Sequence, residues 1–243
     1  MTRRTIHAEH GVLRIDQRLR VGDREIGTDV SGPVCVYSRI DIARGTVAYL
    51  SGDARVVVPG RCELFLPPFS IVQASLERCD VTTTAIAFRT KDRFPLEAVL
   101  LPAGDGGPVR SPEDALERLR LASSVAPIGR APKPAPLPAR TKAIIDAEYA
   151  TALEIGRIAA RLRTSPDVLS RTFRKAFGMP PVRYRHHVRI VDALMQFADG
   201  GAPAEVFQDV GFDDLSRFYK IFRKVACAAP GAYRQGRSRT AKT

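Results

Sequence analysis

Two kinds of hydrophobic pattern divide the chain. Between residues 12 and 89, short β-rich runs (VCVYSRI, TVAYL, ARVVV, CELFL, SIVQASL and VTTTAIAF) are separated by turns containing Gly, Pro and Asp. Runs of this length with such breaks predict strands, and their spacing predicts an all-β barrel or sandwich. SPEDALERLRLAS, residues 111 to 123, reads as a helix with Ser111 at the N-cap, Pro112 at the first position and acids in the first turn. Its Ala115, Leu119 and Ala122 form a short apolar seam, suited either to packing on the same domain or to pairing with a second copy.

The stretch APIGRAPKPAPLP, residues 126 to 138, holds five prolines and no periodic apolar pattern. Proline at this density makes a semi-rigid extended spacer. The expected organisation is therefore a β-rich domain over 1–125, a Pro-rich linker over 126–140 and a helical domain over 141–243.

Beyond the linker the apolar positions follow helical spacing throughout. Ile155, Ile158, Ala159 and Leu162 stripe one short helix, RTSP supplies a turn, and Ser165 with Pro166 starts a second helix. That second helix is expected to bury Val168, Leu169, Thr172, Phe173 and Ala176 and to expose Asp167, Ser170, Arg171 and Arg174. It stops at Gly178. Further on, VGFDDLSRFYKIF (210 to 222) places Leu215, Phe218, Tyr219 and Phe222 on a core stripe, with Asp213 or Asp214 as cap and Ser216, Arg217 and Lys220 on the other side.

These two helices belong to a repeat. SPDVLSRTFRKAFGMPPVRYR (165 to 185) aligns without a gap on DLSRFYKIFRKVACAAPGAYR (214 to 234), at an offset of 49 positions. One supersecondary unit used twice is the expectation, and each copy has the anatomy of a helix-turn-helix. Between them VRYRHHVRIVDALMQFA (182 to 198) reads as a helix that packs on both units through Val188, Val191, Leu194, Met195 and Ala198. Such a helix would hold two recognition helices about 34 Å apart, the spacing of successive major grooves. His186 and His187, adjacent on it, are expected at the surface or near phosphate and not as metal ligands.

Charge changes the picture. The chain carries a formal net charge of +12, and residues 131 to 243 hold 20 Lys and Arg against 10 Asp and Glu. A polar helix face is ordinarily just solvated. Two such faces in register within a strongly basic half point instead to nucleic acid, since Arg bridges guanine O6 and N7 and Ser donates or accepts. Four cysteines show no metal or redox spacing, and residues 11 to 130 contain no His, which disfavours a metal-dependent enzyme in the β-rich half. No metal and no cofactor is expected, and no Ser/His/Asp or Cys/His constellation supports catalysis. The N-terminus has no apolar leader and no stretch approaches a membrane span, so a soluble cytoplasmic protein is expected.

The motifs RIAARLRTSPDVLSRTFRKAFGMPPVRYRHHVRI and EVFQDVGFDDLSRFYKIFRK, followed by APGAYR, resemble the DNA-binding domain of the AraC/XylS family of transcription regulators. The resemblance spans roughly residues 141 to 236 and includes Gly211, Phe212, Asp214, Ser216 and Phe218. It implies that the second helix of each unit enters the major groove of double-stranded DNA, with Asp167, Ser170, Arg171 and Arg174 facing DNA in the first unit and Ser216, Arg217 and Lys220 in the second. Three residues depart from the family pattern: Pro203 for an aliphatic, Phe207 for a small Ala, and Cys227 for a Gly at the helix end. They predict altered packing and a strained cap in the second unit. The β-rich half resembles the cupin-like sensor domain often found ahead of this module, through VVVPGRCELFLPPFSIV. The implied fold class is α+β, a cupin-like barrel plus an all-α domain with two helix-turn-helix units. The implied function is regulation of transcription, with a small-molecule effector, RNA polymerase and a second copy joined through the 111–123 helix as candidate partners. An effector-independent regulator whose barrel binds protein, and a cupin-type enzyme with a DNA-binding appendage, are the competing readings.

Overall fold

The computed structural model describes residues 2–51, 54–91, 98–102, 109–122, 126–127, 135–233 and 239–242. The N-terminal half is built from β1 (Thr2–Glu9), β2 (Val12–Arg20), β3 (Arg24–Val30), β4 (Cys35–Ser51), β5 (Ala54–Val57), β6 (Arg61–Leu66), β7 (Ile71–Phe88) and β8 (Val99–Pro102). Helix α1 (Pro112–Leu121) and the two-residue strand β9 (Ala126–Pro127) complete it. The C-terminal half contains α2 (Pro136–Glu148), α3 (Ile155–Arg161), α4 (Pro166–Phe177), α5 (Pro181–Ala198), α6 (Pro203–Asp209), α7 (Leu215–Ala226), a short 3-10 turn (Pro230–Tyr233) and β10 (Arg239–Lys242). A β-rich half thus precedes a helical half, as the hydrophobic patterns predict, but the latter is not all-α: β10 returns to pair antiparallel with β1 at the edge of the sheet. Among the described residues no helix is long and apolar enough to cross a membrane.

Expected separate runs fuse into two long strands. VCVYSRI and TVAYL both lie in β4, and SIVQASL and VTTTAIAF both lie in β7; the two strands pair antiparallel along their length. Register shifts between Ile42 and Thr46, with Gly45 packed against the Arg78 backbone, bend the pair at its middle. Strands β2 and β3 extend the sheet beyond β7, and β6 and β5 extend it beyond β4. Because the sheet doubles over at this corner, Ile40, Cys62, Leu64 and Val81 from one half meet Val47, Tyr49, Val58 and Val72 from the other in a shared core. Pairing among the described strands runs as an open path from β10 to β9.

Helix α1 covers the outer face of this sheet. Ser111 accepts a hydrogen bond from the Asp114 amide while the Asp114 carboxylate accepts from the Ser111 and Arg110 amides, a reciprocal cap. Ala115 is buried against Cys35, Tyr37, Phe65, Ile86 and Phe88, with Leu119 and Ala122 packed beside it. The apolar seam is therefore spent on its own domain. At the other end of the expected linker, α2 begins at Pro136, and residues 128–134 lie outside the described residues.

Helix α5 is the joint of the whole molecule. Its Ile190, Ala193, Leu194 and Met195 share one core with Ile6, Leu13, Val34 and Ala87 of the sheet and with the residues of α6 and α7. Gly32 lies so close to this helix that a Cβ there would sit 2.7 Å from the Val191 Cβ. Arg89, just past β7, pairs with the buried carboxylate of Asp192 and reaches Asp199 at 3.3 Å. The Tyr149 hydroxyl donates to the other Asp192 oxygen at 3.1 Å, which links α2 to the same carboxylate. A carboxylate removed from water needs such partners, so this network fixes how the helical half docks on the sheet.

Candidate nucleic-acid interface

The first helix-turn-helix unit follows the sequence closely. Ser165 caps α4 by accepting from the Val168 amide at 3.3 Å, Pro166 occupies the first turn, and Gly178 closes the helix in the left-handed conformation. Arg163 takes a positive φ of 53° in the turn before it. Ile158, Ala159, Leu169 and Phe173 form the unit's core with Ile145 of α2 and Tyr184 and Val188 of α5. The Tyr184 hydroxyl donates to Asp146, which Lys142 also reaches at 2.6 Å, tying α5 to α2. Asp167, Arg171 and Arg174 are exposed and Ser170 is half-buried. Ala176, expected inside, is exposed: it lies at the C-terminal edge of the buried stripe, where no other element covers it.

The second unit repeats the backbone with different contents. Asp214 caps α7 by accepting from the Arg217 amide, and Cys227 occupies the left-handed cap at φ 58° that Gly178 takes in the first unit. The expected strain at Cys227 is therefore present. Pro203 sits in the first turn of α6, where a missing amide proton costs nothing. Phe207 does not loosen the unit. Its ring lies 6.4 Å from Phe218, which also contacts Phe212 at 5.3 Å and Phe222 at 5.5 Å, and Phe222 meets Phe197 and Tyr233. The extra volume is absorbed into an aromatic cluster.

The Gly211-Phe212 pair of the motif has a clear physical basis. Gly211 adopts φ 87°, and a Cβ there would overlap the Ala150 carbonyl oxygen. Phe212 lies under the guanidinium of Arg189, 5.2 Å from the ring centroid. Arg189 is buried and donates to the Tyr149 and Thr151 carbonyls at 2.6 and 2.7 Å, so one side chain staples the end of α2, the middle of α5 and the turn of the second unit. Burial, with Arg185 and Arg217 nearby, pushes its pKa down to about 10, and it remains charged at neutral pH.

His186 also packs on Phe212. Its ring lies 6.0 Å from Phe212 at 21° and is half-buried, so it is not the surface residue expected. Burial and the neighbouring Arg217, Arg185, Arg189 and His187 push its pKa down to about 4, so it is neutral at pH 7. Arg185 leaves Nε and Nη1 buried without a hydrogen-bond partner, and its pKa is lowered by burial and by Arg217. Arg185, Arg189 and Arg217 thus concentrate positive charge between the start of α5 and the start of α7. Among the described residues no group of three or more His, Cys, Asp or Glu side chains is placed to hold a metal ion.

Ser216, Arg217 and Lys220 are all exposed. So is Leu215, which the periodicity placed in the core: it is 42% exposed because it is the first residue of α7 and nothing precedes it on that face. Leu215, Ser216, Tyr219, Lys220 and Arg223 line an open groove of 510 Å³. By the 49-residue offset these five correspond to Pro166, Asp167, Ser170, Arg171 and Arg174. The outward face of α7 is thus the counterpart of the outward face of α4, whereas Arg217 corresponds to the half-buried Val168. Tyr219 and Arg223 were absent from the sequence-derived set, although the repeat register marks them.

Two capped helices presenting outward faces at matching positions, each held against a shorter helix across a tight turn, define a double helix-turn-helix domain. Residues 158–236 match the family model described as a helix-turn-helix domain. The arabinose operon regulatory protein of Salmonella typhimurium is 33% identical over 84 residues, which cover 34% of this chain and 30% of that protein. The match therefore spans less than a third of that relative's length. Among solved structures, the C-terminal domain of AraT, a response regulator from Geobacillus stearothermophilus, is 24% identical with a TM-score of 0.41, covering 43% of this chain and 88% of that one. ToxT from Vibrio cholerae is 12% identical with a TM-score of 0.49, covering 92% and 98%.

Proposed function

We propose that the protein is a sequence-specific regulator of transcription that reads double-stranded DNA with α4 and α7. The observation that carries this reading is the coincidence of two outward faces at matching positions of a repeat, both rich in Arg, Lys and hydroxyl groups. An 18-residue α5 is about 27 Å long at roughly 1.5 Å per residue, a length suited to holding two helices on successive major grooves. Asp167, Ser170, Arg171 and Arg174 read bases or position phosphates in one groove, and Ser216 and Lys220, with Arg217 toward the backbone, do so in the next. Surrounding exposed Lys and Arg, Arg217 among them, supply affinity with steep salt dependence.

The N-terminal domain is proposed to answer a small-molecule effector. A pocket of 550 Å³ at the junction of the two halves supports this role, since its walls come from the β1–β2 turn, α1 and the end of α5 and include His10, Arg89, Arg120 and Asp199. A ligand there would compete for Arg89 and so alter the docking of α5. RNA polymerase is the proposed protein partner, and a second copy would meet the outward side of α1, where Leu121 is 71% exposed. The protein is placed in the cytoplasm and is not an enzyme in this reading.

Binding of the full chain to a preferred and a scrambled duplex tests the base-reading role. Arg171→Ala is expected to weaken the preferred duplex by about 1–3 kcal/mol and leave the scrambled one nearly unchanged. Equal losses on both would reduce Arg171 to a phosphate contact.

A further inference from the structure

The two outward faces match in position but not in chemistry, and the difference points to a specific base contact. The first unit presents Asp167, Ser170, Arg171 and Arg174 behind Pro166. The second presents Leu215 and Tyr219 beside Ser216, Lys220 and Arg223. Only the second therefore carries an aliphatic side chain and an aromatic ring in the groove. They are one helical turn apart, at the N-terminal end, the part of a recognition helix that reaches base edges. The half-buried tyrosine ring meets Phe218 edge-on at 5.9 Å and 90°, at the border of the aromatic core. Leu215, Tyr219 and Arg223 follow one another at four-residue spacing, with Ser216 and Lys220 in the neighbouring row, so the apolar pair is flanked by polar and basic groups that suit a base edge next to a phosphate backbone.

We propose that Leu215 and Tyr219 form a methyl-reading slot that makes the second half-site specific for thymine through its C5-methyl group. In the major groove that methyl is the one apolar feature distinguishing thymine from the other bases. The first unit has no equivalent slot, so the two half-sites differ in kind: hydrogen-bonding edges for α4 and a methyl for α7. This inference rests on the DNA-reading proposal above.

The test uses the full chain and its own selected duplex. Each thymine in the α7 element is replaced singly by deoxyuridine, which removes only the methyl. One replacement is expected to weaken wild-type binding by roughly 3- to 5-fold, the size expected for withdrawing one buried methyl, and 5-methylcytosine paired with guanine at that position is expected to bind better than cytosine. Leu215→Ala, at an exposed position, is expected to bind thymine and deoxyuridine duplexes equally; Tyr219→Ser, which copies Ser170 of the first unit, is expected to narrow the same difference. Wild-type protein indifferent to every replacement, or an α7 element lacking thymine, overturns the methyl slot while leaving DNA reading intact. Failure to select any motif overturns the DNA-reading proposal and this one with it.

Discussion

The two helix-turn-helix units share a backbone and differ in what fills it. Ser165 and Asp214 cap equivalent helices, and Gly178 and Cys227 end them in the same left-handed conformation. Inside, the first unit packs Ile158, Leu169 and Phe173 around Tyr184, while the second packs Phe207, Phe212, Phe218 and Phe222. Outside, one face is polar beyond Pro166 and the other holds Leu215 and Tyr219. A repeated geometry thus keeps its caps and its crossing elements while its core and its outward face differ. Position within the unit is set by backbone hydrogen bonding, which few residue types can satisfy; the faces are set by packing and by the ligand, which admit many.

The largest way to break the comparison lies in the turns. The first unit turns through Arg163 at φ 53°, the second through Gly211 at φ 87° against the Ala150 carbonyl. Gly211→Ala is expected to destabilise the fold by about 3 kcal/mol, since strain and a backbone overlap both act; urea denaturation measures it. Arg163→Gly removes a side chain from a left-handed position and is expected to be neutral or slightly stabilising in the same assay.

A second contrast concerns pH. The folded His186 resists protonation until about pH 4, whereas an ordinary imidazole titrates near 6.5. Between those values the unfolded chain binds a proton that the folded one refuses, so stability should fall as pH is lowered from about 6.5 toward 4 and be complete above that window. His186→Phe keeps the stack on Phe212 and is expected to flatten the part of the pH–stability curve that this residue causes. An unchanged slope in that variant would show that the loss at low pH arises elsewhere.

The smallest effect sharpens the comparison at the helix ends. Cys227→Gly is expected to stabilise the second unit by about 1 kcal/mol, because the left-handed cap costs a residue with a Cβ roughly that much. Gly178→Ala should act in the opposite direction, with an added clash against the Gln73 side chain. Thermal unfolding of both variants beside the wild type gives the sign directly.

Much of this was legible in the sequence because the signals are local. The caps at Ser111, Ser165 and Asp214, the prolines at helix starts and the 49-residue repeat all depend on residues a few positions apart. Leu215 was misplaced because helical periodicity assigns a stripe without knowing where its first member loses neighbours. The repeat register would have paired it with Pro166 and paired Tyr219 and Arg223 with Ser170 and Arg174. The docking of α5 on the sheet was invisible for a different reason: Arg89 and Asp192 are 103 positions apart, and nothing in either segment announces the other. The corner at Gly45 hid the continuity of β4 and β7 because a bulge interrupts alternation just where the strand bends.

The central claim is that two units of different chemistry read one DNA face. Selection of duplexes from a random library by the purified full chain, at two salt concentrations, tests it most directly. An enriched motif with two dissimilar elements about one helical turn apart, bound more weakly at the higher salt, is expected. Retention of DNA with no enriched element, or with only one, would contradict it.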